Sequence, residues 1–177
     1  MPVETGSKND GEQRKKGKLG KTAKVSLGVL GGLSLLMGYI SAAGMKESEI
    51  ESEARKPIDD FFGALNARDL ERCRRTLHYP HIQIAGGDIG ILESPADFEI
   101  NFQALADDGW IYSTLDSCTM RHFCDEKVHF ELQLSMHKAN DSRYATYQAL
   151  WIVTRRNDAW GIQCRSIFPS GSCSRLS

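Results

Sequence analysis

The chain has 177 residues, 41% hydrophobic and 25% charged, with a net charge of −1. That is enough for one domain with a real core. The near-zero charge gives neither the basic excess of a nucleic-acid binder nor the acidic excess of a solvating, disordered chain. The five cysteines, Cys73, Cys118, Cys124, Cys164 and Cys173, are odd in number and form no C-x-x-C pair, so they read as buried thiols rather than as a zinc site or a disulfide framework.

Residues 1–24 carry Lys8, Arg14, Lys15, Lys16, Lys18, Lys21 and Lys24 against Glu4, Asp10 and Glu12, with almost nothing apolar. This composition reads as a disordered basic leader. Within it, Gly17-Lys18-Leu19-Gly20-Lys21-Thr22 imitates a phosphate-binding loop, but Lys15 stands where the first glycine is needed and no strand precedes it.

Val25 to Met45 comes next without a charge, bounded by Lys24 and Lys46. As a helix it would cross a hydrocarbon layer of roughly 30 Å. The basic N-terminal flank would keep the leader in the cytoplasm and send the rest across. The small residues Ser41, Ala42, Ala43 and Gly44 also resemble a signal-peptidase site. Three readings stay open: a retained anchor with the domain outside the cytoplasm, a cleaved signal on an exported chain, and an interfacial segment on a cytoplasmic one.

The globular part spans 46–169, with a polar tail over 170–177. Ile50, Ala54, Ile58, Phe61, Phe62 and Leu65 recur at helical spacing from Lys46 to Ala67, with a bend or restart expected at Pro57. Asn66-Ala67-Arg68-Asp69 is a break, and Asp69 caps a second short helix running to about Leu77 and ended by Pro80. Period-two spacing then predicts a hairpin over His81–Ile84 and Ile89–Glu93, turning at Gly86-Gly87-Asp88. Ser94-Pro95 opens a helix running to Asp108 and stopped by Gly109. Strands over Trp110–Phe123, Lys127–Lys138, Arg143–Arg156 and Ala159–Phe168 complete the domain.

Register sharpens this outline. With Lys138 opposite Arg143, residues Val128, Phe130, Leu132, Leu134 and Met136 share a face with Ala145, Tyr147, Ala149, Trp151 and Val153. With Arg156 opposite Ala159, Trp160, Ile162, Cys164, Ser166 and Phe168 join them. Helices need such a face to cover. The reverse face holds His129, Gln133, His137, Gln148, Leu150, Ile152 and Arg165; it is solvated, or a homodimer face through Gln148, Leu150, Ile152 and Arg165. The first long strand admits two alignments. One turns Trp110, Tyr112, Thr114, Asp116, Cys118 and Met120 toward the helices, and the other turns them away.

Three stretches carry a family resemblance. They are Phe61–Leu70 with its N-x-x-D break, the closing hairpin Trp151–Ile162 with a tryptophan after a polar turn, and Leu77–Gly87. Together they resemble the nuclear transport factor 2-like superfamily, which includes ketosteroid isomerases, scytalone dehydratase and SnoaL-like cyclases. The third stretch resembles a bacterial branch to which no activity is attached. The resemblance covers about residues 47–169. It implies an α+β cone, with N-terminal helices on a curved antiparallel sheet and an apolar pocket at the wide end. It puts Tyr79, Trp110, Tyr112, Asp116, Tyr147 and Trp151 forward as lining residues, with His78 and His81 at the mouth. The isomerase's base and oxyanion donors find no residue-by-residue match.

Two functions of the domain are therefore weighed, beside a third reading in which the chain is a subunit of a membrane complex and the 25–45 helix itself makes the partner contact. One is a ligand-binding or scaffold domain at a membrane. The other is an isomerase, dehydratase or cyclase for a small hydrophobic substrate, with Asp116 as base and Tyr79 or Tyr147 as hydrogen-bond donor. No cofactor is implied. His129 and His137 lie too far apart along one strand to share a metal.

Overall fold

The computed structural model describes residues 30–168, with side chains from Lys46 onward. The 1–24 leader and the 170–177 tail lie outside the described residues, as does the 25–45 segment apart from helical backbone from Leu30. The chain divides into two compact units at Gly38/Tyr39. The described part of the first is the start of helix α1 (Leu30–Asn66). Among the described residues no helix is long and apolar enough to cross a membrane. The second unit holds the remainder of α1 and every other element.

Helix α1 runs through Pro57 without the expected restart. It presents Ala54, Ile58, Phe61, Phe62 and Ala64, all buried, toward the sheet. It ends where Asn66 turns its side chain outward from the helix: Nδ2 donates to Ser113 O at 2.9 Å and Oδ1 accepts from Ser113 N at 2.8 Å. Arg68 then takes a positive φ of 57° and the chain reverses. Asp69 caps α2 (Leu70–Arg75) by accepting from Arg72 N. This helix is shorter than expected, because Leu77 to Pro80 already belong to strand β1 (Leu77–Ala85).

β1 forms a hairpin with β2 (Asp88–Leu92). The helix expected over 94–108 is two pieces. Ser94 and Asp97 form a capping box around a single 3₁₀ turn, Pro95–Asp97, and Phe98 is extended. Asn101 then caps a new helix, α3 (Phe102–Asp107), by accepting from Ala104 N. Each polar residue closes its own turn, and the break lets Phe98 drop into the core at 2% exposure.

Strands β3 (Tyr112–Cys124), β4 (Lys127–His137), β5 (Arg143–Arg156) and β6 (Ala159–Phe168) complete one sheet of order β2-β1-β6-β5-β4-β3. β1 lies parallel to β6 and every other pairing is antiparallel. The β4–β5 register is the expected one, with Val128 opposite Val153, Phe130 opposite Trp151 and Leu134 opposite Tyr147, save that His137 rather than Lys138 meets Arg143. Val128, Phe130, Leu132, Trp151, Val153 and Ile162 are fully or almost fully buried against α1. Phe62 stacks on Trp151 at 5.8 Å and Phe61 meets it edge-on at 5.4 Å.

Two bulges correct the expected faces. In β5–β6 the pairing holds from Arg156↔Ala159 to Val153↔Ile162, then slips so that Trp151 meets Arg165 and Ala149 meets Ile167. The extra residue, Gln163, reverses the alternation. Arg165 therefore lies on the concave face and cannot belong to a dimer surface on the reverse one, while Cys164, Ser166 and Phe168 turn away from the helices. In β3 a first slip falls between Leu115 and Ser117 and a second between Met120 and His122; the first decides the face of Asp116. Cys118 and Met120 face inward, whereas Tyr112, Thr114 and Asp116 face outward, so each of the two alignments is right for half of the strand.

Candidate functional site

The wide end of the concave face is open. A pocket of about 480 Å³ lies between α1, the 98–101 segment, α3 and the inner faces of β1, β4, β5 and β6. Its walls are Phe61 and Leu65 from α1, Phe98 and Ile100, Leu105 from α3, and Leu134, Trp151 and Ile167 from the sheet. Arg74 shapes one side: its Nε donates to Phe98 O at 3.0 Å, and its Nη2 pairs with Glu99 at 2.7 Å. The polar groups are few, as in ligand sites generally: Gln83, Glu99, Asn101, Asp108 and Arg165. Two further hollows, of about 470 and 440 Å³, lie along the outer side of α1. They are walled by charges already engaged with one another, such as Lys56 with Glu53 and Arg72 with Asp60.

Of the residues singled out from the sequence, Trp151 lines the pocket; its indole N–H is buried without a hydrogen-bond partner among the described residues. Tyr147 sits half-buried opposite Leu134 but outside the lining. Trp110 is fully buried, donating to Ser113 Oγ at 2.9 Å and stacked against Phe102. Tyr112 lies on the reverse face, stacked on His137 at 4.6 Å. The Tyr79 hydroxyl donates to Arg74 O at 3.3 Å. The His78 ring bonds Thr154 Oγ1 at 2.9 Å and packs over Gly161, where a Cβ would collide with it.

Asp116 is on the wrong side of the sheet to act as a base in this pocket. Its carboxylate accepts from Thr114 Oγ1 at 2.7 Å and Ser135 Oγ at 2.5 Å, with Gln133 at 3.4 Å and the Arg143 guanidinium at 3.6 Å. Partial burial pushes its pKa up, but the hydrogen bonds from Ser135, Thr114 and Gln133 and the charge of Arg143 outweigh that and hold it below the usual value. It is a fixed anion in a polar network on the outer face.

The residue that sequence reading misplaced is Arg165. Its guanidinium carbon lies 4.8 Å from the Phe61 ring centroid, 5.0 Å from Phe98 and 5.7 Å from Trp151, so three aromatic rings cage it. Its Nε donates to His81 Nε2 at 3.1 Å, and His81 Nδ1 donates in turn to Ile162 O at 3.0 Å. That chain of bonds requires a neutral imidazole. Burial first, and the adjacent Arg165 cation second, lower the His81 pKa to about 4. Burial lowers Arg165 too, to about 10, so it remains a cation at neutral pH. A trace of this arrangement is in the sequence. Ile162 and Ile167 are five apart and cannot share one face of a regular strand, and Gly161 stands inside that strand, where glycine marks a bulge or a close backbone approach.

A long helix packed on a curved, mainly antiparallel sheet, with a pocket at its wide end, defines an α+β cone. Solved structures share that architecture. The chain is similar to a protein with a cystatin-like fold, described as nuclear transport factor 2-like, from Novosphingobium aromaticivorans (14% identity, TM-score 0.62, 75% of this chain and 90% of that one). It is also similar to a cystatin-like protein of unknown function from Nostoc punctiforme (17%, TM-score 0.57, 71% and 95%). A third is a candidate ketosteroid isomerase from Shewanella frigidimarina (14%, TM-score 0.51, 67% and 96%). No protein-family model matches the sequence, and neither does any curated protein. The chain has the nuclear transport factor 2-like fold.

Proposed function

We propose that this chain is a ligand-binding domain whose concave pocket takes a small, largely apolar molecule. The observation that supports it is the pocket of about 480 Å³ walled by aromatic and aliphatic side chains from every layer of the domain. That volume falls in the range of small-molecule sites. The isomerase reading loses its base with Asp116 on the outer face, and the carboxylates that do line the pocket are Glu99, paired with Arg74, and Asp108. Binding rather than turnover is the function this wall supports.

The test uses Nile red, a neutral apolar dye, with the full chain and with Ala104→Trp. Ala104 is an exposed position on α3 at the pocket mouth, so an indole there fills the opening without entering the core. Dye affinity is expected to fall about tenfold or more while the melting temperature stays put. Equal binding by the two proteins would mean that the dye, and the function, lie elsewhere.

The uncharged stretch from Val25 to Met45 supports a second part of the proposal, that the domain is held at a membrane by this segment.

A further inference from the structure

The apolar wall says nothing of how a ligand is oriented. Arg165 does, and the inference drawn from it rests on the pocket being a ligand site. An arginine held half-buried among aromatic rings ordinarily has a carboxylate partner, because a largely desolvated, unpaired charge is costly. Here the ionisable groups that act on it electrostatically are Cys73, Tyr79 and Cys164. Burial pushes all three upward, Cys73 to about 11, so they are neutral at pH 7 and cannot balance it. Its Nε–H is taken by His81, which is neutral as well. Among the described residues, the terminal Nη groups make no hydrogen bond, and Arg165 itself lines the pocket. Three rings hold the guanidinium, and the His81 bond fixes its rotation. A rigid two-pronged donor is thus presented to an apolar cavity.

We propose that the occupant of this pocket is a carboxylate-bearing apolar molecule, its anionic end gripped by the Arg165 guanidinium and its body laid against Phe98, Leu134 and Trp151. A planar fork matches a planar carboxylate with two parallel hydrogen bonds. Binding would supply a directly hydrogen-bonded counter-ion, which Arg165 lacks among the described residues. Glu99 and Asp108 also line the pocket and disfavour a second negative charge on the ligand, so the class is a monoacid. His81 is a positioning residue that aims the fork and does not reach the ligand.

The experiment titrates the full chain with matched pairs, decanoate against 1-decanol and 2-naphthoate against 2-naphthylmethanol, at neutral pH. Binding is followed calorimetrically. Wild type is expected to bind each acid about tenfold or more tightly than its alcohol, as a desolvated charge-assisted pair requires. Arg165→Met is expected to erase that preference by bringing each acid down to the affinity of its alcohol, with an unchanged near-ultraviolet circular dichroism spectrum showing that the aromatic core has kept its shape. If wild type binds alcohol and acid alike, the anion anchor is wrong and the apolar pocket reading stands. If neither series binds, both readings fall. Should Arg165→Met fail to fold, the wild-type comparison still decides, and Arg165→Lys, which keeps the charge but loses the fork, is expected to retain only part of the preference.

Discussion

His81 carries a consequence beyond the ligand. It is fully buried and neutral in the fold, with a pKa lowered to about 4, whereas an unfolded chain protonates it near 6.5. Between those values the unfolded state binds the extra proton. Stability from this group is therefore intact above about pH 6.5 and lost as pH falls toward 4, by about 3 kcal/mol in all. Denaturant unfolding across that window is expected to show the loss, and His81→Gln is expected to flatten this part of the profile. An unchanged slope in the variant would put the titration on another residue. This pair is also where the sequence was least legible. Histidine and arginine lie 84 positions apart in sequence, and nothing in either segment announces that one ring nitrogen will accept from the other's Nε. Asp116 failed as a candidate for a related reason. Its face depends on whether a strand carries one residue more than its neighbour, which hydropathy along a single chain does not record.

The elements themselves were mostly legible, because periodicity is a local signal. The long helix, the β1–β2 hairpin and the β4–β5 register all come from spacing, and Phe61, Phe62, Phe130 and Trp151 are core residues in sequence and structure alike. The failures are at joints. A helix drawn from Ser94 to Asp108 overlooked that Asn101 can cap as well as Ser94 can, and that Phe98 gains more from burial than from continuing a turn. Of the bend or restart expected at Pro57, the restart is absent, since α1 passes through it. The joint at Asn66 is the strongest. Its amide makes both hydrogen bonds to Ser113 that a neighbouring strand would make, and so ties the end of α1 to the start of β3. Asn66→Ala is expected to cost about 2 kcal/mol, leaving a partly buried carbonyl and amide without partners. Chemical denaturation measures this directly, and a loss below about 0.5 kcal/mol would mean that water replaces both bonds.

At the scale of the whole molecule, the α+β cone expected from the resemblance is the observed fold, and the structural neighbours agree despite identities of 14–17%. A fold can persist at that distance while its pocket is rewritten, which is why the site was less legible than the architecture. The proposed tether belongs to this scale as well. Full-length protein in its native cells is expected to stay with membranes through an alkaline carbonate wash, while a chain beginning at Lys46 is expected to be released; extraction of the full chain by the wash would remove the anchor from the proposal. Gln163, finally, makes the pocket's charge a matter of parity. Residues on a strand are sorted odd from even, and one inserted residue exchanges the two sets beyond it while those before it stay put. Removing a single codon at this point would carry the cation to the other side of the sheet and leave the α1, α3, β4 and β5 walls as they are. In this architecture a change of ligand class therefore requires no new side chain. A gap of one residue in β6 suffices, and relatives compared by residue identity alone would conceal it.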